Sequence, residues 1–74
     1  MKSKRQMINE IYDAMSGFRF NSPKASIVNI SSMYKDYETV EETYLKVKRG
    51  IISPQMGMEY LSGCIPQEIN QTMF

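Results

Sequence analysis

The amino-acid sequence predicts an all-α fold, a small domain of three to four helices. Three observations predict it: apolar residues recur at helical spacing, residues that cap helices precede these runs, and glycines follow them. The 74 residues are enough for one domain, residues 1–74, with a core of modest size. A short β-hairpin near residues 18–31 is the alternative that the sequence leaves open.

The first helix is expected over residues 4–16. Ser3 can accept a hydrogen bond from a free backbone N–H, and Gln6 can reach back to the backbone of Ser3, which makes a capping box. Gly17 supplies the left-handed conformation that ends helices. The predicted apolar stripe of this helix comprises Met7, Ile8, Ile11, Tyr12 and Met15.

The second segment, residues 25–37, is compatible with two structures. Ser22 followed by Pro23 is typical of a helix start. The β-branched residues of the same run also suit a strand. We favour the helix because a lone strand needs a partner, and only "GFRF", residues 17–20, offers one. The residues at helical spacing are Ile27, Ile30, Tyr34 and Tyr37.

The third helix is predicted from "YETVEETYLKVKRG", residues 37–50. Thr39 and Glu42 make a second capping box, and Gly50 ends the helix. Acidic residues fill the first turns and basic residues the last, which suits the helix dipole at both ends. The predicted apolar stripe comprises Val40, Tyr44 and Val47.

The fourth helix is predicted over residues 54–61, with Ser53 as its cap and Gly63 as its stop. It is short and contains Gly57, so it cannot be stable alone. Two apolar residues are expected to hold it against the rest of the domain, Met58 and Leu61. A last helical turn is expected after Pro66, with apolar residues at a spacing of four: Ile65, Ile69 and Met73.

The composition argues against enzymes, metal proteins and membrane proteins. The chain contains one cysteine, Cys64, and no histidine, which leaves no internal disulfide, no usual zinc site and no histidine-activated thiol. Glu38 and Glu42 lie one helical turn apart but have no further metal ligands beside them. No run approaches the roughly 18 apolar residues of a membrane span. We therefore expect a cytoplasmic, non-catalytic protein without a cofactor or a membrane partner.

Basic residues flank a stretch that resembles a helix-turn-helix, "KRGIISPQMGMEYLSG", residues 48–63. Lys46, Lys48 and Arg49 could contact phosphates, so a nucleic-acid-binding regulator is the alternative function. The second helix of this stretch carries no arginine, lysine or asparagine, and its Glu59 opposes a polyanion. We therefore interpret the stretch as a helical hairpin with a solvated basic face.

The segment "VEETYLKVKRGIISPQMGMEYL", residues 40–61, resembles a hairpin near the end of many tailed-phage portal proteins. In that hairpin a helix ends in a "GIIS" turn before a short helix. The segment is also similar to helical hairpins that end many bacterial membrane-associated and oligomerising proteins. The resemblance implies a phage or mobile-element origin. The chain is much shorter than a portal protein, and no functional residue is carried over.

Methionine and tyrosine supply the predicted binding surface. The chain contains seven methionines and five tyrosines, residue types that adapt to partners and anchor interfaces. We predict a small regulator or inhibitor that docks a helical face on a partner protein, either a host protein or a second copy of itself. A structural subunit of a phage particle is a further alternative. The residues predicted to contact the partner are Tyr34, Tyr37, Met56 and Tyr60.

Overall fold

Four helices and one pair of short strands make up residues 1–69, the part of the chain that the computed structural model describes. In chain order they are α1 (Lys4–Asp13), β1 (Phe18–Arg19), α2 (Lys24–Tyr34), α3 (Tyr37–Lys48), α4 (Pro54–Ser62) and β2 (Gln67–Glu68). Helix α1 packs against each of the other three helices, and α4 also packs against α2 and α3. The all-α prediction is therefore confirmed.

The hydrophobic core lies where the four helices meet. All five residues of the predicted α1 stripe contribute to it, with Tyr12 at its edge. The α4 prediction also holds, because Met58 and Leu61 are almost fully buried. The buried apolar residues are Met7, Ile8, Ile11, Met15, Phe20, Ile27, Val28, Val40, Tyr44, Met58 and Leu61.

Helix α1 begins as predicted and ends early. The Ser3 hydroxyl oxygen accepts a hydrogen bond from the Gln6 backbone N–H at 3.1 Å, and the Gln6 side chain accepts one from the Ser3 backbone at 2.8 Å. The helix stops at Asp13, three residues before the predicted end. Gly17 has the expected left-handed backbone, with φ of 83°, but it lies in the turn that follows.

Helix α2 settles the ambiguity of residues 25–37 in favour of a helix, and the alternative hairpin over residues 18–31 does not form. The predicted Ser22 cap is wrong. Pro23 occupies the cap position, where its carbonyl oxygen accepts from the backbone N–H groups of Ser26 and Ile27, and no side chain caps this end. The ring of Pro23 fixes its φ, and proline has no backbone N–H that would need a partner at this position. The helix therefore starts here without a side-chain cap.

The buried face of α2 is also rotated from the predicted stripe. Ile27, Val28 and Ser31 face the core, whereas Tyr34 is 76% exposed. The Ser31 hydroxyl donates to the Ile27 carbonyl at 2.9 Å, so this buried polar group is satisfied within its own helix. Outside the helix, the Lys4 ammonium donates to two carbonyl oxygens at the α2 C-terminal end, which holds α1 to that end.

Helix α3 starts earlier than predicted. Asp36 is its cap and accepts a hydrogen bond from the Thr39 backbone N–H at 3.0 Å, so the predicted capping box of Thr39 and Glu42 is wrong. Hydrogen bonds from Thr39 lower the pKa of the Asp36 carboxyl. Asp36 and Thr39 are both residue types that cap helices. Asp36 is the cap because a helix that starts there is one turn longer. The predicted stripe is confirmed, with Val47 partly buried beside the core.

The turn between α3 and α4 follows the sequence prediction closely. Gly50 has φ of 75°, and the backbone N–H of Ile51 donates to the Lys46 carbonyl at 2.9 Å. Together with the bond from the Gly50 N–H to Val47, this closes α3 with a Schellman motif. The Ser53 hydroxyl then accepts from the Met56 backbone, which caps α4.

Gly57 lies where α4 comes closest to α3 and α1. A Cβ atom at this position would lie 3.0 Å from Cγ2 of Val47, 3.4 Å from Cγ2 of Thr43 and 3.5 Å from Cγ2 of Ile11. The glycine therefore allows the helices to approach, at the expense of the intrinsic stability of α4.

The strands β1 and β2 form an antiparallel pair in which Phe18 lies opposite Glu68 and Arg19 opposite Gln67. The backbone N–H of Ile69 donates to the Gly17 carbonyl at 2.7 Å, which extends the pairing. The predicted helical turn after Pro66 is therefore wrong for residues 65–69, because the segment gains backbone hydrogen bonds from the loop after α1 instead. Met73 lies outside the described residues.

Candidate functional site: the groove between α3 and α4

A groove of about 330 Å³ runs between α3 and α4. Ile52 and two residues of α4, Met56 and Tyr60, line one wall. Met56 is 56% exposed and Tyr60 is 58% exposed. They lie four positions apart, so they stand one above the other on the same face of α4. We call this feature, lined by these three residues together with Glu42, Thr43 and Lys46, the α3–α4 groove.

The wall formed by α3 is polar and carries both charges. Glu42 and Lys46 lie one helical turn apart and are both exposed. Thr43, between them in the chain, is buried, and its hydroxyl donates to the Thr39 carbonyl at 2.9 Å. The groove thus combines an apolar wall with a wall bearing one negative and one positive group.

A lysine from a third helix covers the ring of Tyr60. The ammonium of Lys35, immediately after α2, lies 4.8 Å from the ring centroid. This cation–π contact favours the ring position beside the groove by about 0.5–1 kcal/mol, although Tyr60 is more than half exposed. A positioned tyrosine loses less side-chain entropy on binding than a free one.

The other two predicted contact residues do not line the groove. Tyr34 is exposed at the end of α2. Tyr37 is half-buried against the core, and its hydroxyl donates to the Lys2 carbonyl at 2.8 Å, which ties the start of the chain to α3. Of the four residues, therefore, the structure brings together Met56 and Tyr60.

The three basic residues of the alternative prediction spread over different sides of α3. Lys46 lines the α3–α4 groove, whereas Lys48 lines a second cleft between α1 and α3. The two lie on nearly opposite sides of the helix, about 160° apart, since each residue turns it by about 100°. Arg49 is exposed at the C-cap. The three side chains therefore do not share one face.

Glu10 is the centre of a charged cluster in the second cleft. Its carboxylate accepts hydrogen bonds from the Lys2 ammonium and from the Tyr44 hydroxyl, the latter at 2.8 Å, and Lys48 lies 3.5 Å away. Both lysine ammonium groups also lie within 6 Å of the Tyr44 ring centroid, at 5.8 Å for Lys2 and 5.5 Å for Lys48. The hydrogen bond from Lys2, followed by that from Tyr44, lowers the pKa of Glu10, and the bond to Glu10 raises the pKa of Lys2.

This cluster should make the protein sensitive to acid. The pKa of Glu10 is lower in the folded chain than its ordinary value of 4.5, so its stabilising effect is present above that value and is lost as the pH falls through the folded pKa. Urea unfolding at about pH 7 and about pH 3 should show a smaller loss of stability for Glu10→Gln than for the wild type. Glu59→Gln, an exposed carboxylate of α4, is the matched control and should lose as much as the wild type. Equal losses for all three proteins would contradict this role of Glu10.

Residues 1–69 contain no group of three or more histidine, cysteine, aspartate or glutamate side chains placed to hold a metal ion. No helix in this part of the chain is long and apolar enough to cross a membrane. Cys64 is exposed just after α4, where its backbone N–H donates to the Ser62 hydroxyl at 3.1 Å.

Sequence reasoning missed several parts of the groove. Ile52 has a local signal, because an apolar residue directly before a helix cap commonly packs near that helix. Lys35 has none, since its contact with Tyr60 joins residues that are far apart in the chain. The role of Thr43 and Glu42 as the opposite wall depends on how α3 and α4 pack.

The chain was compared with models of protein families, with curated proteins and with solved structures, and no significant match was found in any of the three.

Proposed function

We propose that this protein is a small, non-catalytic regulator or inhibitor that binds a partner protein through the α3–α4 groove. The observation that carries the proposal is the pair of large, exposed side chains of Met56 and Tyr60, aligned on α4 beside Ile52. The proposal includes a cytoplasmic location and, from the resemblance of residues 40–61 to a portal hairpin, a phage origin. Binding would act by covering the surface of the partner.

The chemistry of the groove supports a protein partner. Tyrosine buries a large area with few rotatable bonds, and methionine adapts its shape to irregular surfaces. The contact with Lys35 already orders the Tyr60 ring. A groove of about 330 Å³ accommodates one or two side chains of a partner, in the manner of a helix or loop that inserts an anchor residue.

The charges on the opposite wall define the partner further. Glu42 and Lys46 present one charge of each sign on successive turns of α3. A complementary segment would carry an apolar anchor with a basic and an acidic residue beside it. Such exposed charges contribute orientation and association rate more than affinity.

A pull-down from a nuclease-treated bacterial lysate, analysed by mass spectrometry, tests the proposal. Tagged wild-type protein should recover one stoichiometric protein that resists moderate salt. The double variant Met56→Ala, Tyr60→Ala should reduce its recovery at least about tenfold, because both anchors are lost. Met33→Ala, which truncates a 72% exposed methionine outside the groove, should not. Circular dichroism confirms that each variant is folded.

Two outcomes would overturn this proposal. One is a partner that the groove variant retains as well as the wild type. The other is recovery that depends wholly on nucleic acid and disappears with nuclease. The second outcome would favour the nucleic-acid-binding alternative, which predicts a steep loss of binding with salt and with the triple variant Lys46→Gln, Lys48→Gln, Arg49→Gln.

A further inference from the structure

The outward face of α3 carries a line of four exposed residues. Glu38, Glu42, Leu45 and Arg49 follow one another at spacings of four, three and four positions, which places them along one side of the helix. Leu45, at the centre of the line, is 37% exposed. The line is therefore acidic at its start, apolar in its middle and basic at its end. We call it the α3 stripe.

The charges of the α3 stripe form no ion pair within residues 1–69. The ion pairs formed within residues 1–69 join Lys2 and Lys48 to Glu10, and Lys24 to Asp13. None of them involves a residue of the stripe. Lys46, at the edge of the stripe, likewise forms no ion pair in this part of the chain.

We propose that two copies of the chain pair through the α3 stripe, with their α3 helices antiparallel about a two-fold axis. This arrangement brings Glu38 opposite Arg49 of the second copy, and Glu42 opposite Lys46. In an antiparallel pair, the two-fold axis passes midway between residues that lie opposite each other. That midpoint is close to position 44 for both charge pairs, so a single axis brings both pairs together. Leu45 lies beside that axis and meets Leu45 of the second copy.

The size of the contact sets its strength. The stripe spans three turns of helix, roughly 17 Å at 1.5 Å per residue. An interface of this length lies at the small end of specific protein contacts, so pairing is reversible and depends on concentration. Its exposed charge pairs are screened by salt. The two surfaces share Glu42 and Lys46, whereas Leu45 lies outside the α3–α4 groove and Met56 and Tyr60 lie outside the stripe.

Sedimentation equilibrium of the full chain tests the pairing over about micromolar to millimolar concentration in low salt. The wild type should approach twice its mass of 8.6 kDa. Leu45→Asp should raise the dissociation constant at least about tenfold, because it places two carboxylates at the axis. Met33→Ala, on α2, is the control and should pair like the wild type.

Reversing the charges at one end of the α3 stripe gives the most specific test of the pairing. Glu38→Arg with Glu42→Arg makes the whole stripe basic, and Lys46→Glu with Arg49→Glu makes it acidic. Each double variant should be monomeric alone, and an equimolar mixture should restore the paired mass.

Three results would overturn the proposal: a wild type that stays monomeric at the highest concentration, pairing that none of these variants disturbs, or a mixture that stays monomeric although each variant is folded by circular dichroism. A folded, monomeric wild type whose double variants only melt earlier would show that the charges serve the dipole of α3. The proposal is separated from the proposed function by variants that change one surface only: Leu45→Asp should abolish pairing with an intact pull-down, and Met56→Ala with Tyr60→Ala should do the reverse.

Discussion

Replacing Gly57 by leucine should lower the free energy of unfolding by about 1–2 kcal/mol, the difference between an overpacking cost of about 2–3 kcal/mol and a gain in helix propensity. The added side chain has no space, because a Cβ alone would lie 3.0 Å from Cγ2 of Val47 and close to methyl groups of Thr43 and Ile11. The better helix propensity of leucine returns only about 1 kcal/mol of this cost. Urea unfolding followed by circular dichroism measures the difference.

A second substitution tests whether crowding is the cause. In a Val47→Ala background the nearest contact is removed, so Gly57→Leu should cost measurably less than in the wild type. Met56→Ala, at the neighbouring exposed position, is the control and should leave stability almost unchanged. A Gly57→Leu variant as stable as the wild type would mean that α4 does not approach α3 this closely.

Truncating Ile11 to alanine should lower the free energy of unfolding by about 2–5 kcal/mol. Ile11 is 1% exposed, and it belongs to α1, which contacts all three other helices. A domain of this length is expected to have a total stability of only several kcal/mol, since stability amounts to roughly 0.05–0.15 kcal/mol per residue. The variant should therefore be partly unfolded at room temperature.

The matched control for this prediction is Ile11→Val, which removes one methylene and should cost about 0.5–1.5 kcal/mol. Thermal and urea unfolding of the three proteins should rank them wild type, Ile11→Val, Ile11→Ala. If alanine and valine had equal and small effects, Ile11 would not be at the centre of the core.

Sequence reasoning succeeded where the determinants are local. The Ser3 capping box, the Ser53 cap and the glycine at position 50 each act within a few residues, and the structure has all three as predicted. The choice between Asp36 and Thr39 was not local. Both residue types can cap a helix, and Asp36 caps α3 because a start at Tyr37 adds a turn of helix, which leaves only residues 35 and 36 between α2 and α3.

The groove itself could be predicted only in part. The sequence predicts Met56 and Tyr60 by residue type, because methionine adapts to irregular surfaces and tyrosine anchors interfaces. Tyr37 belongs to the same residue class but has a structural contact with Lys2, and no pattern in the sequence distinguishes the two cases. Whether a tyrosine is buried depends on how the helices pack. The sequence predicts burial only where apolar residues recur regularly along one helix face.

The pairing of β1 with β2 has a consequence for the order of assembly. It joins segments about 50 residues apart in the chain, as the packing of α1 against α4 also does, and its few bonds can offset that loop closure only once the helices have packed. Its strands are two residues long and largely exposed, so little burial opposes their separation. The strand pair should therefore form last and open first. The backbone N–H of Ile69 should therefore exchange with solvent faster than the N–H groups of α1. The four helices would then unfold as one cooperative unit, and the strand pair would open separately from them.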